Sequence, residues 1–138
     1  MSTRSLIAMQ IEEDKYRTIY CHSDGYLTYN GAMLLDYYNT PEKVKELIDL
    51  GSISFLAKKL NPDPSKPHSF NYDERQEDVV VAYGRDRGEK MLKLKIKPWL
   101  NLTIQILGQS TYIYLLKIIN GRISYRATPM QSEMLKLI

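Results

Sequence analysis

A chain of 138 residues, 43% hydrophobic and 25% charged, is the size of one domain with a real core and is too small for two. One cysteine rules out an internal disulfide framework and a cysteine-rich zinc centre, and fits a reducing compartment. A net charge of +3 is too small to point to nucleic acid, and no apolar run reaches the 18 residues of a membrane span.

The charge is uneven. Residues 1–87 carry 11 Lys and Arg against 14 Asp and Glu, whereas residues 88–138 carry 8 against 2, so the last third is basic. Such a third reads first as a solvated face and second as an attractor for a phosphate-bearing ligand or an acidic partner. Eleven tyrosines against two phenylalanines suit half-wet clefts and interfaces. The N-terminus, with Arg4 before a short apolar run and then Glu12, Glu13 and Asp14, does not read as a signal peptide. The expectation is a protein of the cytoplasm.

Arg4 to Ile11 alternates Leu6, Ala8 and Gln10 with Ile7, Met9 and Ile11, and Tyr16 to Tyr20 resumes a β-rich run after a charged turn, which predicts a hairpin. From Asn30, Met33, Leu34, Tyr37 and Tyr38 recur at helical spacing, predicting a helix over about 30–38. Thr40-Pro41-Glu42 supplies a cap, a proline for the first helical position and an acidic first turn. Val44, Leu47 and Ile48 then make an apolar stripe that Gly51 ends, predicting a helix over 41–50. Residues 52–77, with Pro62, Pro64 and Pro67, read as a loop, either a flap or a functional one. Asp78 to Tyr83 reads as a strand through Val79, Val80 and Val81.

Met91 to Lys97 reads as a short strand or an amphipathic edge stopped by Pro98, and Trp99 to Leu107 as either a short helix or a strand. Thr111 to Ile118, Asn120-Gly121 and Arg122 to Arg126 predict a second hairpin with a type I′ turn. The fold class expected is a single α+β domain over 1–138, a mainly antiparallel sheet with two helices on one face.

Two polar clusters lie beside these β runs: Tyr20-Cys21-His22-Ser23-Asp24-Gly25-Tyr26 and Tyr83-Gly84-Arg85-Asp86-Arg87-Gly88-Glu89. Cys21 and His22 invite a nucleophile–base reading, but neighbours on a strand point to opposite faces and would not touch. His22 and Asp24 are left as polar contacts that share a face, with His22 the one weak candidate for a general base. His22 and His68 are the only histidines, and with Asp24, Asp73 or Asp86 they show no metal-ligand spacing, so no metal is expected. In the second cluster, Gly84 and Gly88 allow close backbone approach, and Arg85 and Arg87 can grip phosphate or carboxylate. Asp86 either orients an arginine or accepts from a ribose or base donor. The glycine spacing is neither a Walker nor a Rossmann loop, and nothing calls for a cofactor.

Arg4-Ser5-Leu6-Ile7, the Tyr20 to Tyr26 motif, Pro41-Glu42-Lys43-Val44, Leu50-Gly51, His68-Ser69-Phe70 and the Tyr83 to Glu89 motif together resemble a family of small bacteriophage and prophage proteins. The resemblance covers about residues 3 to 90. That family carries tryptophan between the His and Asp and proline after the second tyrosine of the first motif, where this chain has Ser23 and Leu27. A ligand stacked by that tryptophan would be held differently here. The resemblance implies a phage accessory protein in the host bacterial cytoplasm, of a kind that blunts host defence.

The leading expectation is a binder that sequesters a nucleotide-like, phosphate-bearing signal without turnover. Arg85 and Arg87 would hold phosphates, His22, Asp24 and Asp86 would make polar contacts, and Tyr26 and Tyr83 would stack on a base. The alternatives are a protein-binding inhibitor of a host defence complex, of the anti-CRISPR type, and a hydrolase using His22. Binding is favoured over catalysis, and a homo-oligomer is compatible with the same tyrosine-rich composition.

Overall fold

The structure is a computed structural model that describes residues 3–12, 15–88, 96–98 and 112–129. Its frame is one sheet: β1 (Ser5–Glu12), β2 (Lys15–Cys21), β3 (Ile53–Phe55), β4 (Val81–Ala82), β5 (Ile96–Pro98), β6 (Tyr112–Ile119) and β7 (Arg122–Pro129). The strands lie in the order β4–β3–β2–β1–β6–β7, and β5 pairs with the Lys15–Arg17 end of β2. Four pairings are antiparallel, as expected of a mainly antiparallel sheet, and two, β1–β6 and β2–β3, are parallel. The α+β class with helices on one face holds.

Both hairpins form where expected. In the second, Asn120 and Gly121 have φ of 52° and 75°, the left-handed pair that a type I′ turn requires. Of the helices, α2 (Pro41–Leu50) matches its prediction residue for residue: Thr40 Oγ1 accepts from the Lys43 N–H at 3.3 Å, and Gly51 follows at φ 89°. The earlier helix is split. A π-helical turn over Leu27–Gly31 runs into α1 (Ala32–Tyr37).

Residues alternate across the strands, which gives each face of the sheet its own core. Ile7, Ile19 and Cys21 of the central strands and Ile53 pack against Leu34 of α1 and Val44, Leu47 and Ile48 of α2. Full burial of each α2 side chain is worth about 1.5–3 kcal/mol. On the opposite face Leu6, Ala8, Tyr16, Ile113 and Leu115 form a smaller cluster with Tyr20 against it.

Residues 52–77 are more structured than a flap. β3 opens the segment, and Lys59 and Val79 form a bridge across its base, with Lys59 N donating to Asp78 O and Val80 N donating to Lys59 O, both at 2.9 Å. Gln76 braces the interior. Its side chain accepts from Asp63 N at 2.8 Å and donates to the carbonyls of Asp63 and Lys66, while its backbone N–H donates to His68 Nδ1 at 3.0 Å. The strand expected over Asp78 to Tyr83 shortens to β4, because Tyr83–Arg87 coils into a one-turn helix, α3. Tyr83 to Arg87 of the second cluster are therefore helical. Trp99 to Leu107 lies outside the described residues, as does the start of the Met91 to Lys97 segment, whose end forms β5.

Candidate functional site

The first cluster begins on β2, which ends at Cys21, and His22 lies just past the strand. Cys21 is buried among core side chains, and its thiol has Asn30 Nδ2 at 3.3 Å. Burial pushes its pKa up to about 11, so it is a neutral thiol at physiological pH. Tyr20 Oη meets His22 Nδ1 at 2.8 Å. Asp24 accepts from Tyr26 Oη at 3.2 Å, and the Asp24 charge raises the pKa of that phenol. His22 and Asp24, expected to share a face, thus each bond to a different tyrosine.

Gly25 is required by close approach. Its N–H donates to Thr3 O at 2.8 Å, Tyr114 Oη donates to its carbonyl at 2.6 Å, and an added Cβ would sit 2.8 Å from the Thr3 and Arg4 carbonyl oxygens. Asn30, which sequence reasoning passed over, is fully buried behind the cluster and donates to Ser5 Oγ, Cys21 Sγ and Ser23 O.

The second cluster is organised by Asp86, whose side chain is only 4% exposed. Its Oδ2 accepts from the Ala82 N–H at 2.8 Å, which turns the carboxylate back over the start of α3. Arg85 grips both oxygens, Nε to Oδ1 at 2.9 Å and Nη2 to Oδ2 at 3.1 Å. The imidazole of His68 lies equally buried at 3.2 Å from Oδ2, an ion-pair distance at which the ring N–H is off the line of a good hydrogen bond. Burial opposes the Asp86 charge, but the hydrogen bonds from Arg85 and Ala82 outweigh it and hold the carboxyl below its usual range.

Arg85 was expected to hold phosphate, and the structure gives it another use. Besides Asp86, its guanidinium donates to Leu60 O at 2.7 Å and to Val80 O at 2.6 Å. One side chain thus fastens both ends of the 60–80 segment to α3. Asp86 is the residue that orients it.

Arg87 lies differently. Its guanidinium carbon is 5.0 Å from the Phe70 ring centroid and 6.0 Å from that of Tyr83, and the two rings are 5.4 Å apart. Arg75 approaches the same Phe70 at 5.5 Å and Tyr72 at 5.7 Å, and its Nε donates to Phe70 O. Two guanidiniums on one aromatic system keep their charge near the surface while their planes are supported.

Both clusters open onto clefts beside this loop. The larger, about 720 Å³, is lined by Asp24 and Ser23 on one side and by Tyr72, Arg75, Glu77 and Asp78 on the other, with Phe55, Val79 and Val81 also lining it. The smaller, about 460 Å³, is lined by Ser69, Phe70, Asn71, Asp86 and Arg87. Arg75 lines the first and lies over the Phe70 of the second, so the 69–75 stretch is a shared wall. Of the anticipated residues, Asp24, Asp86 and Arg87 line these clefts. Tyr83 supports one through Phe70, His22 and Tyr26 bond to Tyr20 and Asp24, and Arg85 works behind the wall. Sequence reasoning did not single out Phe70, Tyr72, Arg75, Glu77 and Asp78 as cleft residues; the available signal was two aromatics and an arginine within a stretch read as a flap or functional loop.

Among the described residues no group of three or more His, Cys, Asp or Glu side chains could hold a metal ion, and no helix is long and apolar enough to cross a membrane. Neither family models nor curated proteins nor solved structures give a match to this chain.

Proposed function

We propose that the protein binds a nucleotide-like, phosphate-bearing signal and sequesters it without turnover, as a phage accessory protein acting against host defence. The observation that carries the reading is the pair of arginines, Arg75 and Arg87, over Phe70 at the wall common to both clefts. Guanidiniums supported on rings suit phosphate, and the aromatic edges suit a base. Arg87 and Arg75 take the phosphate role, in place of Arg85. Uptake is favoured over turnover because Cys21 is buried as a thiol and Asp86 is committed to Arg85 and the Ala82 N–H. The phage setting rests on the motif resemblance.

Calorimetry with cyclic dinucleotides and ADP-ribose tests this. Uptake should occur and fall at least about tenfold in Arg75→Ala and Arg87→Ala, the loss of one charge-assisted contact. No uptake, or undiminished uptake by both variants, overturns it.

A second reading, a protein-binding inhibitor of a defence complex, is favoured by the exposed apolar side chains of Leu27, Leu35 and Tyr37 along the π-turn and α1. Pull-down from a host lysate separates the two: a stoichiometric protein partner supports the inhibitor, a copurifying nucleotide the binder.

A further inference from the structure

Gln76, which braces the loop, is itself fastened by a titratable ring. Its backbone N–H donates to His68 Nδ1 at 3.0 Å, so that nitrogen carries a lone pair and the ring proton sits on Nε2. Nε2 lies 3.2 Å from Asp86 Oδ2, off the line of a good bond, and both side chains are buried. The neutral ring therefore gives its better-aligned bond to Gln76 and leaves the carboxylate poorly met. An added proton reverses this. At Nδ1 it sets N–H against N–H and ends the bond to Gln76, while the imidazolium gains the Asp86 charge. Against its burial, the hydrogen bonds from Arg85 and Ala82 hold the Asp86 carboxyl below its usual range, so it stays charged while a histidine titrates. Of the other charged groups on the elements that hold the ring, Arg85 on α3 opposes the added proton, being 2.9 Å from the same carboxylate. In the loop, the Glu74 carboxylate accepts from Ser69 Oγ and that of Asp63 from Ser65, Lys66 meets Gln76 through its carbonyl, and Arg75 lies against Phe70, as does Arg87 of α3.

We infer that His68 is a positioning residue that makes uptake depend on pH: neutral, it latches Gln76 and holds the cleft wall in place; protonated, it turns to Asp86 and releases Gln76. This rests on the proposal that the clefts take up a nucleotide-like molecule. The path from ring to wall is short. Gln76 follows Arg75, whose guanidinium lies over Phe70 and Tyr72 and which lines the larger cleft. His68 adjoins Ser69 and Phe70, which line the smaller one. The Gln76 side chain also accepts from Asp63 N and donates to the carbonyls of Asp63 and Lys66, so a shift of its backbone strains the rest of the brace. A ligand gripped by Arg75 and Arg87 binds the latched form. By linkage, acid then weakens uptake, and bound ligand drives the added proton off the ring.

The test uses the full chain with cyclic di-AMP and ADP-ribose, whose phosphodiester and pyrophosphate groups keep their charge between about pH 5 and 8, unlike a phosphomonoester. NMR of the ligand-free protein should show His68 as the Nε2–H tautomer at the alkaline end. As the ring titrates, the Gln76 amide should shift and lose protection from exchange over the same pH interval. Calorimetry should show uptake at least about tenfold weaker below that interval than above it. His68→Asn keeps an acceptor near the place of Nδ1 and has nothing to titrate, so its uptake should stay flat across pH to within about twofold. The same variant tells the ring signals of His68 from those of His22. A ring that takes up no proton above about pH 5, a Gln76 amide indifferent to the titration, or an uptake midpoint away from that of the ring would overturn the inference and leave uptake standing. So would a pH dependence that His68→Asn retains. Should that variant not fold, the coincidence of ring, amide and uptake midpoints in wild type decides. No uptake of either probe at any pH would overturn the binding reading and the pH gate with it.

Discussion

Replacing Arg85 with alanine separates a clamp from a ligand contact. The variant removes four donor contacts: two to the Asp86 carboxylate and one each to Leu60 O and Val80 O. It also leaves Asp86, whose side chain is 4% exposed, without its cationic partner. Breaking a buried pair from one side costs about 3–5 kcal/mol, most of it the stranded charge. With a urea dependence of about 1–3 kcal/mol per M for a small domain, the midpoint of denaturation should fall by roughly 2 M. That is a large share of a typical stability of about 5–15 kcal/mol, so the double variant Arg85→Ala/Asp86→Ala serves as the companion. Removing the stranded carboxylate should restore part of the loss, making the double variant less destabilised than the two single effects added together. Arg85→Lys should fall between, because an ammonium keeps the charge and loses the fork. A midpoint within about 0.3 M of wild type for Arg85→Ala, together with lost nucleotide uptake, would refute the clamp and return Arg85 to the ligand.

Cys21 should resist alkylation by iodoacetamide at pH 8, where a thiol of pKa about 11 is ionised in about one molecule in a thousand, and react promptly once urea exposes it. The folded value is raised above the ordinary 9.0, so the stability that Cys21 contributes is complete below about pH 9 and is lost as pH rises through about 11; native-state labelling at pH 8 as fast as in urea would contradict this burial. Gly25→Ala should destabilise by about 1–3 kcal/mol, because its Cβ meets two backbone carbonyl oxygens at 2.8 Å that cannot rotate away. Thermal denaturation should show a Tm lowered by roughly 3–12 °C, and an unchanged Tm would mean that residues 3–5 do not hold this loop.

The elements read well from sequence are those whose cause is local. Thr40-Pro41-Glu42 and Gly51 mark both ends of α2 within a few residues, and Asn120-Gly121 carries the backbone geometry of its own turn. The parallel pairing of β1 with β6 joins segments about a hundred residues apart and leaves no local signature. β3 was hidden because three residues after a helix-ending glycine cannot establish a period. In the Tyr83 to Glu89 cluster the glycines suggested close backbone approach to a ligand. The conformation of Tyr83–Arg87 turns on Asp86 reaching back to the Ala82 N–H, a contact that composition does not display. Arg85 looked like an anion ligand because its acceptors, Leu60 O above all, lie 25 residues away. Part of each cluster lines a cleft, and tertiary contacts decided which arginine faces outward.

The bracing by Gln76 bears on how this region can change over time. Its bonds to Asp63, Lys66, Pro67 and His68 run within the loop, and the loop meets the scaffold chiefly through Arg85, Asp86 and the Lys59–Val79 bridge. Ser69 to Asp78 can therefore vary without disturbing the packing of the sheet, provided Gln76 and those anchors are kept. On the proposed function, recognition is carried on an exchangeable cassette, so a lineage facing a changing ligand could diversify the nine other positions of 69–78 while the sheet beneath stays fixed.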